Sequence, residues 1–167
     1  MELRTEALSG SHMREDFSCG QELLDNYLKK QAGQDMKGNL AACFVITPAG
    51  TQVVTGYYTL SNARIPQHLI PAEIRKRLPG SYTDIPATLL GRLARDLNEM
   101  GNGMGELLLM DALYRAYLAS DTVGSFAVGV DPTDERATAF YEAYGFIMLP
   151  DSGKLFLPMK TIGQLFL

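Results

Sequence analysis

Met100-Gly101-Asn102-Gly103-Met104-Gly105, followed by the apolar run Leu107-Leu108-Leu109-Met110, is the stretch on which the fold turns. Three alternating glycines at the opening of a helix let backbone N–H groups turn inward and let an anion come close. The first helical turn adds unpaired N–H donors and the positive end of the macrodipole. The stretch therefore predicts a cradle for a diphosphate-bearing, nucleotide-like ligand; the plainer alternative is a flexible turn ahead of a core helix. Spacing narrows the choice. A dinucleotide fingerprint needs G-x-G-x-x-G early in a βαβ unit, and the place of its third glycine is held by Glu106. A Walker loop needs Gly-Lys-Ser/Thr, a triplet absent from the sequence.

Upstream, residues 87–97 read as a strand, with Leu89, Gly91, Leu93 and Arg95 on one side and Leu90, Arg92 and Ala94 on the other. Downstream, a helix over 105–118 carries polar side chains only at Glu106, Asp111 and Arg115, which predicts a largely buried helix. Residues 124–130 read as a core strand. Asp131-Pro132-Thr133 supplies a cap and a proline for a helix running to Tyr144, ended by Gly145. Two last strands, 146–149 and 155–160, flank the turn Pro150-Asp151-Ser152-Gly153. The tail 155–167, rich in Leu and Phe, is either that last strand or an exposed surface that pairs across subunits.

Toward the N-terminus, Leu23, Leu24, Tyr27 and Leu28 recur at helical spacing within 22–32, and Ser18 is the expected cap. Residues 42–47 and 52–60, split by Pro48-Ala49-Gly50, read as a hairpin, and 71–78 as a short helix. The order implies an α/β fold, a mixed sheet flanked by helices.

At 167 residues the chain fits one domain, 1–167, with a core of ordinary size. The shares of apolar (46%) and charged (20%) residues suit a soluble globular protein, and no apolar run reaches the ~18 residues of a membrane span. Met1-Glu2-Leu3-Arg4-Thr5-Glu6 lacks the layout of a signal peptide, so the expected compartment is the cytoplasm. Cys19, Cys43, His12 and His68 have no metal-ligand spacing, and no metal or disulfide framework is expected. A net charge of −4 argues against a protein that coats nucleic acid. Residues 25–95 nevertheless hold nine basic against four acidic side chains, including Arg64, Arg75, Lys76, Arg77, Arg92 and Arg95. That segment suits a polyanion, or for 75–77 a solvated helix face.

Taken in order, the strand over 89–97, the glycine loop, its helix, a core strand and Ala137-Thr138-Ala139-Phe140-Tyr141-Glu142-Ala143-Tyr144-Gly145-Phe146 resemble the GNAT N-acetyltransferase family. Phe17-Ser18-Cys19-Gly20, Gly91-Arg92-Leu93-Ala94, Leu149-Pro150-Asp151-Ser152 and Pro158-Met159-Lys160-Thr161-Ile162 resemble a narrower branch, the TacT-type acetyltransferase toxins of toxin–antitoxin pairs. The likeness runs over about residues 17–162. It implies a sheet that splays open and an acetyl-CoA whose pyrophosphate sits on the N–H groups of Met100, Gly101, Asn102, Gly103, Met104, Gly105 and Glu106. Its pantetheine would lie along the backbone of Leu93, Ala94 and Arg95 as an added strand. It further implies a ribbon-helix-helix antitoxin, a homodimer and no membrane partner. One departure stands out. The family's loop commonly starts with Arg or Gln three residues before the first glycine and often has a basic residue between the glycines; here those places hold Asn98 and Asn102, beside Glu99. Losing those charge-assisted bonds weakens the site by ~1–3 kcal/mol.

Acetyl transfer from a thioester to an amine needs a neutral nucleophile, an oxyanion donor and a partner for the departing thiolate. The resemblance assigns the last role to Tyr141; by pattern alone Ala137, Phe140, Tyr141 and Tyr144 share a helical face and read as core. A phenol near ~10 facing a thiol near ~8.5 makes full proton transfer uphill by about 2 kcal/mol, so Tyr141 is expected to stabilise the sulfur by a hydrogen bond. The oxyanion falls to the backbone N–H of Leu93 or Ala94. No general base is evident, which favours an acceptor α-amine near ~7.7–8.0 over a lysine near ~10.4. The toxin resemblance likewise implies the aminoacyl end of a charged tRNA, with Arg92 and Arg95 as substrate-binding candidates; the alternative for both is pairing with Asp84 or Asp96. The acidic balance keeps open a small-molecule or peptide amine acetyltransferase, and the missing basic loop residues a non-catalytic acyl-CoA-binding module.

Overall fold

Residues 1–167 are all described by the computed structural model. Its strands are β1 (Glu6–Ala7), β2 (Ala42–Ile46), β3 (Gly56–Pro66), β4 (Asp84–Arg95), β5 (Ala127–Val130), β6 (Ile147–Met148) and β7 (Leu155–Pro158). They form one seven-stranded sheet in the order β1-β2-β3-β4-β5-β7-β6. The pairing of β4 with β5 is parallel, whereas β1 with β2, β2 with β3, β5 with β7 and β6 with β7 are antiparallel. The mixed sheet with flanking helices is the architecture expected. The helices are α1 (Glu22–Asn26), α2 (Ala32–Lys37), α3 (Ala72–Arg75), α4 (Met104–Ala119), α5 (Glu135–Ala143) and α6 (Met159–Gln164). Contacts divide the chain into two compact units, Met1–Ser61 with Leu90–Arg115 and Asn62–Leu89 with Ala116–Leu167.

In the first unit a core of Leu8, Phe17, Tyr27, Leu28, Ala32, Cys43, Val45, Val54, Tyr57 and Ala94 gathers side chains from the sheet and the first helices. The expected single helix over 22–32 is interrupted. A π-helical turn, Tyr27–Gln31, separates α1 from α2, and it carries the buried pair Tyr27 and Leu28. Ser18 is not the cap of α1. Gln21 takes that position without a side-chain bond, while Asp25 in the first turn accepts the Cys19 N–H at 2.8 Å. β3 starts later than the hairpin reading has it, because residues 52–54 are drawn to Met13 instead: Met13 N–H donates to the Gln52 carbonyl and Val54 N–H to the Met13 carbonyl. Gly56 must lack a side chain, since a Cβ there would stand 2.9 Å from Leu108 Cδ1 and 3.1 Å from Ile46 Cγ2.

α4 is the buried helix its sequence predicts, with Leu108, Leu109, Ala112 and Leu113 at the core. Its one acidic core residue is fully compensated. Asp111, 0% exposed, accepts the Arg4 N–H, the Thr5 hydroxyl at 2.6 Å and the Tyr58 hydroxyl at 2.7 Å. Arg115 one turn later donates to Tyr58 Oη at 2.9 Å and to the Thr5 carbonyl at 3.0 Å. A buried carboxylate is stable only with partners of this kind.

In the second unit Ile65, Ile70, Ile85, Ala87, Ala127, Leu149 and Phe156 form the core. α5 begins one turn later than Asp131-Pro132 suggests. Its cap is Asp134, in extended conformation, whose carboxylate accepts the Ala137 N–H at 2.7 Å and so satisfies a first-turn donor. β7 ends at Pro158 rather than at Lys160, because the chain there turns into α6, whose Met159 and Ile162 point inward. The residues 155–158 are thus buried core strand, 159–164 are helix, and Leu165 and Leu167 at the end are exposed.

Candidate active site

The glycine loop is built as an array of free donors. Gly101 and Gly103 lie at φ +84° and +82°, a left-handed conformation that other residues enter only with strain. No backbone carbonyl or side chain accepts from the N–H groups of residues 101–106. The first bond of α4 is Leu107 N–H to the Gly103 carbonyl at 3.0 Å. Consecutive N–H groups in this state, at the start of a 16-residue helix, suit a diphosphate. The side chains in the loop engage one another, with the Asn102 amide donating to Glu99 Oε2 at 2.6 Å. This bond occupies the Glu99 carboxylate, and no cationic side chain stands between residues 98 and 106. The donors of the cradle are therefore all main chain.

β4 leads straight into this loop. Its partner β5 is in register only at Thr88 and Leu89. Beyond that point the strand runs on through Arg92, Leu93, Ala94 and Arg95 with an edge that β5 does not pair, as a splayed sheet requires. Such an edge can take an amide-bearing chain as an added strand. Arg92 lays its guanidinium 3.5 Å from the centroid of the Tyr27 ring, and the Tyr27 hydroxyl donates to Asp35 Oδ2 at 2.7 Å. The Tyr27 phenol is pushed well above its ordinary value by burial first and by its bond to Asp35 second. Asp35 is lowered by the hydrogen bonds from Tyr27 and Gln31. Neither expected alternative partner is taken. Asp84 lies 3.9 Å from Arg64, and Asp96 accepts two backbone N–H groups, so Arg92 and Arg95 are free of ion pairs.

Tyr141 lies on α5 in the second unit and is 8% exposed. Its ring packs edge-on against Phe140 and tilted against Phe146, both at 5.3 Å between centroids, so the core reading of the ring holds. Its hydroxyl is another matter. It has no hydrogen-bond partner, and because no fully buried side-chain oxygen in the protein lacks one, the Tyr141 oxygen reaches the surface. Burial of the ring pushes the phenol up to about 12. It is thus a neutral hydrogen-bond donor with no partner in the protein. No group of three or more His, Cys, Asp or Glu is arranged to hold a metal ion, and no helix is long and apolar enough to cross a membrane.

No family model matches the sequence. Among characterised proteins, a tRNA-acetylating toxin of Mycobacterium tuberculosis is 36% identical over 145 residues, covering 86% of this chain and 84% of the relative. A probable toxin TacT of Sinorhizobium fredii is 32% identical over 162 residues, 92% and 89% respectively. Among solved structures, a tyrosine-to-phenylalanine variant of KacT superposes with a TM-score of 0.91 at 33% identity, over 97% of this chain and 98% of that one. AtaT complexed with acetyl-methionyl-tRNAfMet gives 0.89 at 29% identity, over 98% of each chain. A tyrosine-to-phenylalanine variant of AtaT bound to the C-terminus of the antitoxin AtaR and to acetyl-CoA gives 0.81 at 26% identity, over 97% and 96%.

Proposed function

The chain belongs to the TacT-type tRNA-acetylating toxins, N-acetyltransferases of GNAT fold, and we propose that it moves the acetyl group of acetyl-CoA to the α-amine of an aminoacyl-tRNA. In this reading it is the toxin of a toxin–antitoxin pair. The run of free N–H donors over residues 101–106 carries the proposal, since its geometry suits a pyrophosphate and little else in the chain does.

Each role follows from the chemistry of the residues present. Main-chain amides of residues 101–106 receive the pyrophosphate, and the open edge at Leu93, Ala94 and Arg95 receives the pantetheine; the Met100 N–H, expected in the cradle, is instead spent on the Leu97 carbonyl. The neutral amine attacks the thioester carbon, and the N–H of Leu93 or Ala94 stabilises the oxyanion that forms. As the C–S bond breaks, the Tyr141 hydroxyl hydrogen-bonds to the leaving sulfur. A phenol at about 12 against a thiol near ~8.5 makes outright transfer uphill by roughly 5 kcal/mol, so the sulfur is stabilised as a thiolate and the amine proton passes to water. Solved tyrosine-to-phenylalanine variants of both KacT and AtaT accord with a tyrosine in this part. Arg92, held over Tyr27, and the unpaired Arg95 receive the acceptor end of the tRNA.

A sequence pI near 5.1 favours a second reading, a small-molecule or peptide amine as acceptor. One experiment separates them: transfer of labelled acetyl from acetyl-CoA to a panel of charged tRNAs, polyamines and peptides. Label on the aminoacyl group alone is the expected result, and label on polyamines or peptides with none on charged tRNA overturns it. The same reading has the chain act in the cytoplasm as a homodimer neutralised by a ribbon-helix-helix antitoxin; AtaT bound to AtaR supports an antitoxin. Light scattering on the purified chain tests the dimer.

A further inference from the structure

Just ahead of the cradle stands a buried carboxylate that no step above uses. Asp96 directly follows β4, is 9% exposed, and divides its two oxygens between two separate pieces of chain. Oδ1 accepts the Asn98 N–H at 2.9 Å, capping the 3₁₀ turn Leu97–Glu99, and Oδ2 accepts the Ser18 N–H at 3.1 Å. The main chain repeats the tie. Asp96 N–H donates to the Thr55 carbonyl at 2.8 Å and Leu97 N–H to the Ser18 carbonyl at 2.8 Å. Glu99 and Met100 then donate back to Asp96 and Leu97, and after Met100 the N–H groups have no acceptor until Leu107. Gly20, at φ +94°, brings its segment within ordinary contact of Leu97, where a Cβ would stand 3.4 Å from Cδ2.

We propose that Asp96 is the positioning residue of the pyrophosphate cradle, touching no ligand but fixing the turn that aims the N–H groups of residues 101–106. The proposal rests on the acetyl-CoA reading above. Its logic is one of charge and count. With no cationic side chain in the loop, affinity for the diphosphate depends wholly on the aim of main-chain donors. A carboxylate beside an anion site is electrostatically adverse, so a simple turn cap is better served by Ser or Asn. Only a carboxylate offers two acceptor oxygens, and two are needed to hold the turn to the 17–20 segment as well as to itself.

The test compares two acetyl donors, acetyl-CoA and S-acetylpantetheine, which lacks the pyrophosphate. In Asp96→Asn and Asp96→Ser, the ratio of kcat/KM for acetyl-CoA to that for S-acetylpantetheine falls by about tenfold, as expected when one charged hydrogen bond is lost from the support of the cradle. A merely structural role lowers both values together and leaves the ratio fixed, which overturns the proposal. In the unaltered protein, where folding is not at issue, the backbone amide resonances of Ser18 and Asn98 move on titration with CoA and stay still with pantetheine. Amides that move with neither, while CoA binds, overturn it as well. If the unaltered protein shows no preference for acetyl-CoA over S-acetylpantetheine, the cradle reading itself fails, and the inference with it.

Discussion

At the scale of the residue, Tyr141 is the side chain at which packing and the proposed chemistry meet. Its ring is core and its hydroxyl is spare. Removing that oxygen breaks no bond within the protein, so Tyr141→Phe is expected to keep its thermal midpoint. It is expected to lose kcat by about 10–100-fold, the worth of a hydrogen bond to a developing charge, with little change in KM for acetyl-CoA. Steady-state kinetics beside a melting curve checks both halves. The pH profile follows from the same assignment. The acceptor amine must be neutral, so kcat/KM rises as pH climbs through its range near ~7.7–8.0. It does not fall again at pH ~9–10, because a phenol at about 12 is still protonated there. A descending limb in that range contradicts Tyr141 as the donor. For the tyrosine, periodicity indicated an aromatic core face, which the ring packing matches, while its chemical role is proposed from the family's pattern. Asp96 was legible only as a charge, since a carboxylate that binds main chain 78 residues away leaves no mark in local sequence.

At the scale of the element, two glycines make opposite predictions. Gly103→Ala meets no atom within 4 Å but must hold φ +82°, at a strain of about 1–2 kcal/mol. Part of that strain is relieved by letting the loop change shape, so KM for acetyl-CoA rises several-fold while the melting point falls little. Gly56→Ala has the reverse outcome: its Cβ is driven into Leu108 and Ile46, and the melting point drops by several degrees with donor KM unchanged. The long, strongly patterned elements were readable. α4 follows from its glycines and apolar run, and β4 from alternation, though it starts three residues earlier and ends two earlier than its sequence alone indicates. What local pattern did not show were choices settled by tertiary contacts. The π turn at 27–31 buries Tyr27 and Leu28, and Met159 with Ile162 makes a helix of a tail that reads equally well as strand; the cap of α5 is instead a local choice between two aspartates, of which Asp134 reaches the first-turn N–H of Ala137.

At the scale of the whole molecule, the protein carries an unusual load of buried weak acids. Burial pushes Cys43 up to about 12 and Cys19 to about 11, and raises Tyr57, Tyr58 and Tyr27 above the ordinary phenol range. The unfolded chain gives up these protons near ~8.5 for thiols and ~10 for phenols, while the folded chain holds them. Since the folded values are the higher ones, the stability is fully present below about pH 8.5 and is lost as pH rises beyond it, at up to ~1.4 kcal/mol per pH unit for each buried group and less for Cys19, which is partly exposed and screened by solvent. Urea midpoints at pH 8, 9.5 and 10.5 should fall in that order; a flat series refutes the account. Net charge works in the other direction on the tRNA. With an overall −4 and the positive excess confined to residues 25–95, the proposed function predicts that KM for charged tRNA climbs steeply with added salt, and the proposed main-chain cradle that KM for acetyl-CoA climbs less.

The hub at Asp111 sets a rule for handling this protein. Because Arg4 and Thr5 supply two of its three hydrogen bonds, by backbone and by side chain, a truncation that removes the first five residues leaves this buried carboxylate with the Tyr58 hydroxyl alone and weakens the fold. Affinity handles and fluorescent fusions therefore belong on Leu167, which is fully in solvent, and shortened amino-terminal versions should yield insoluble material.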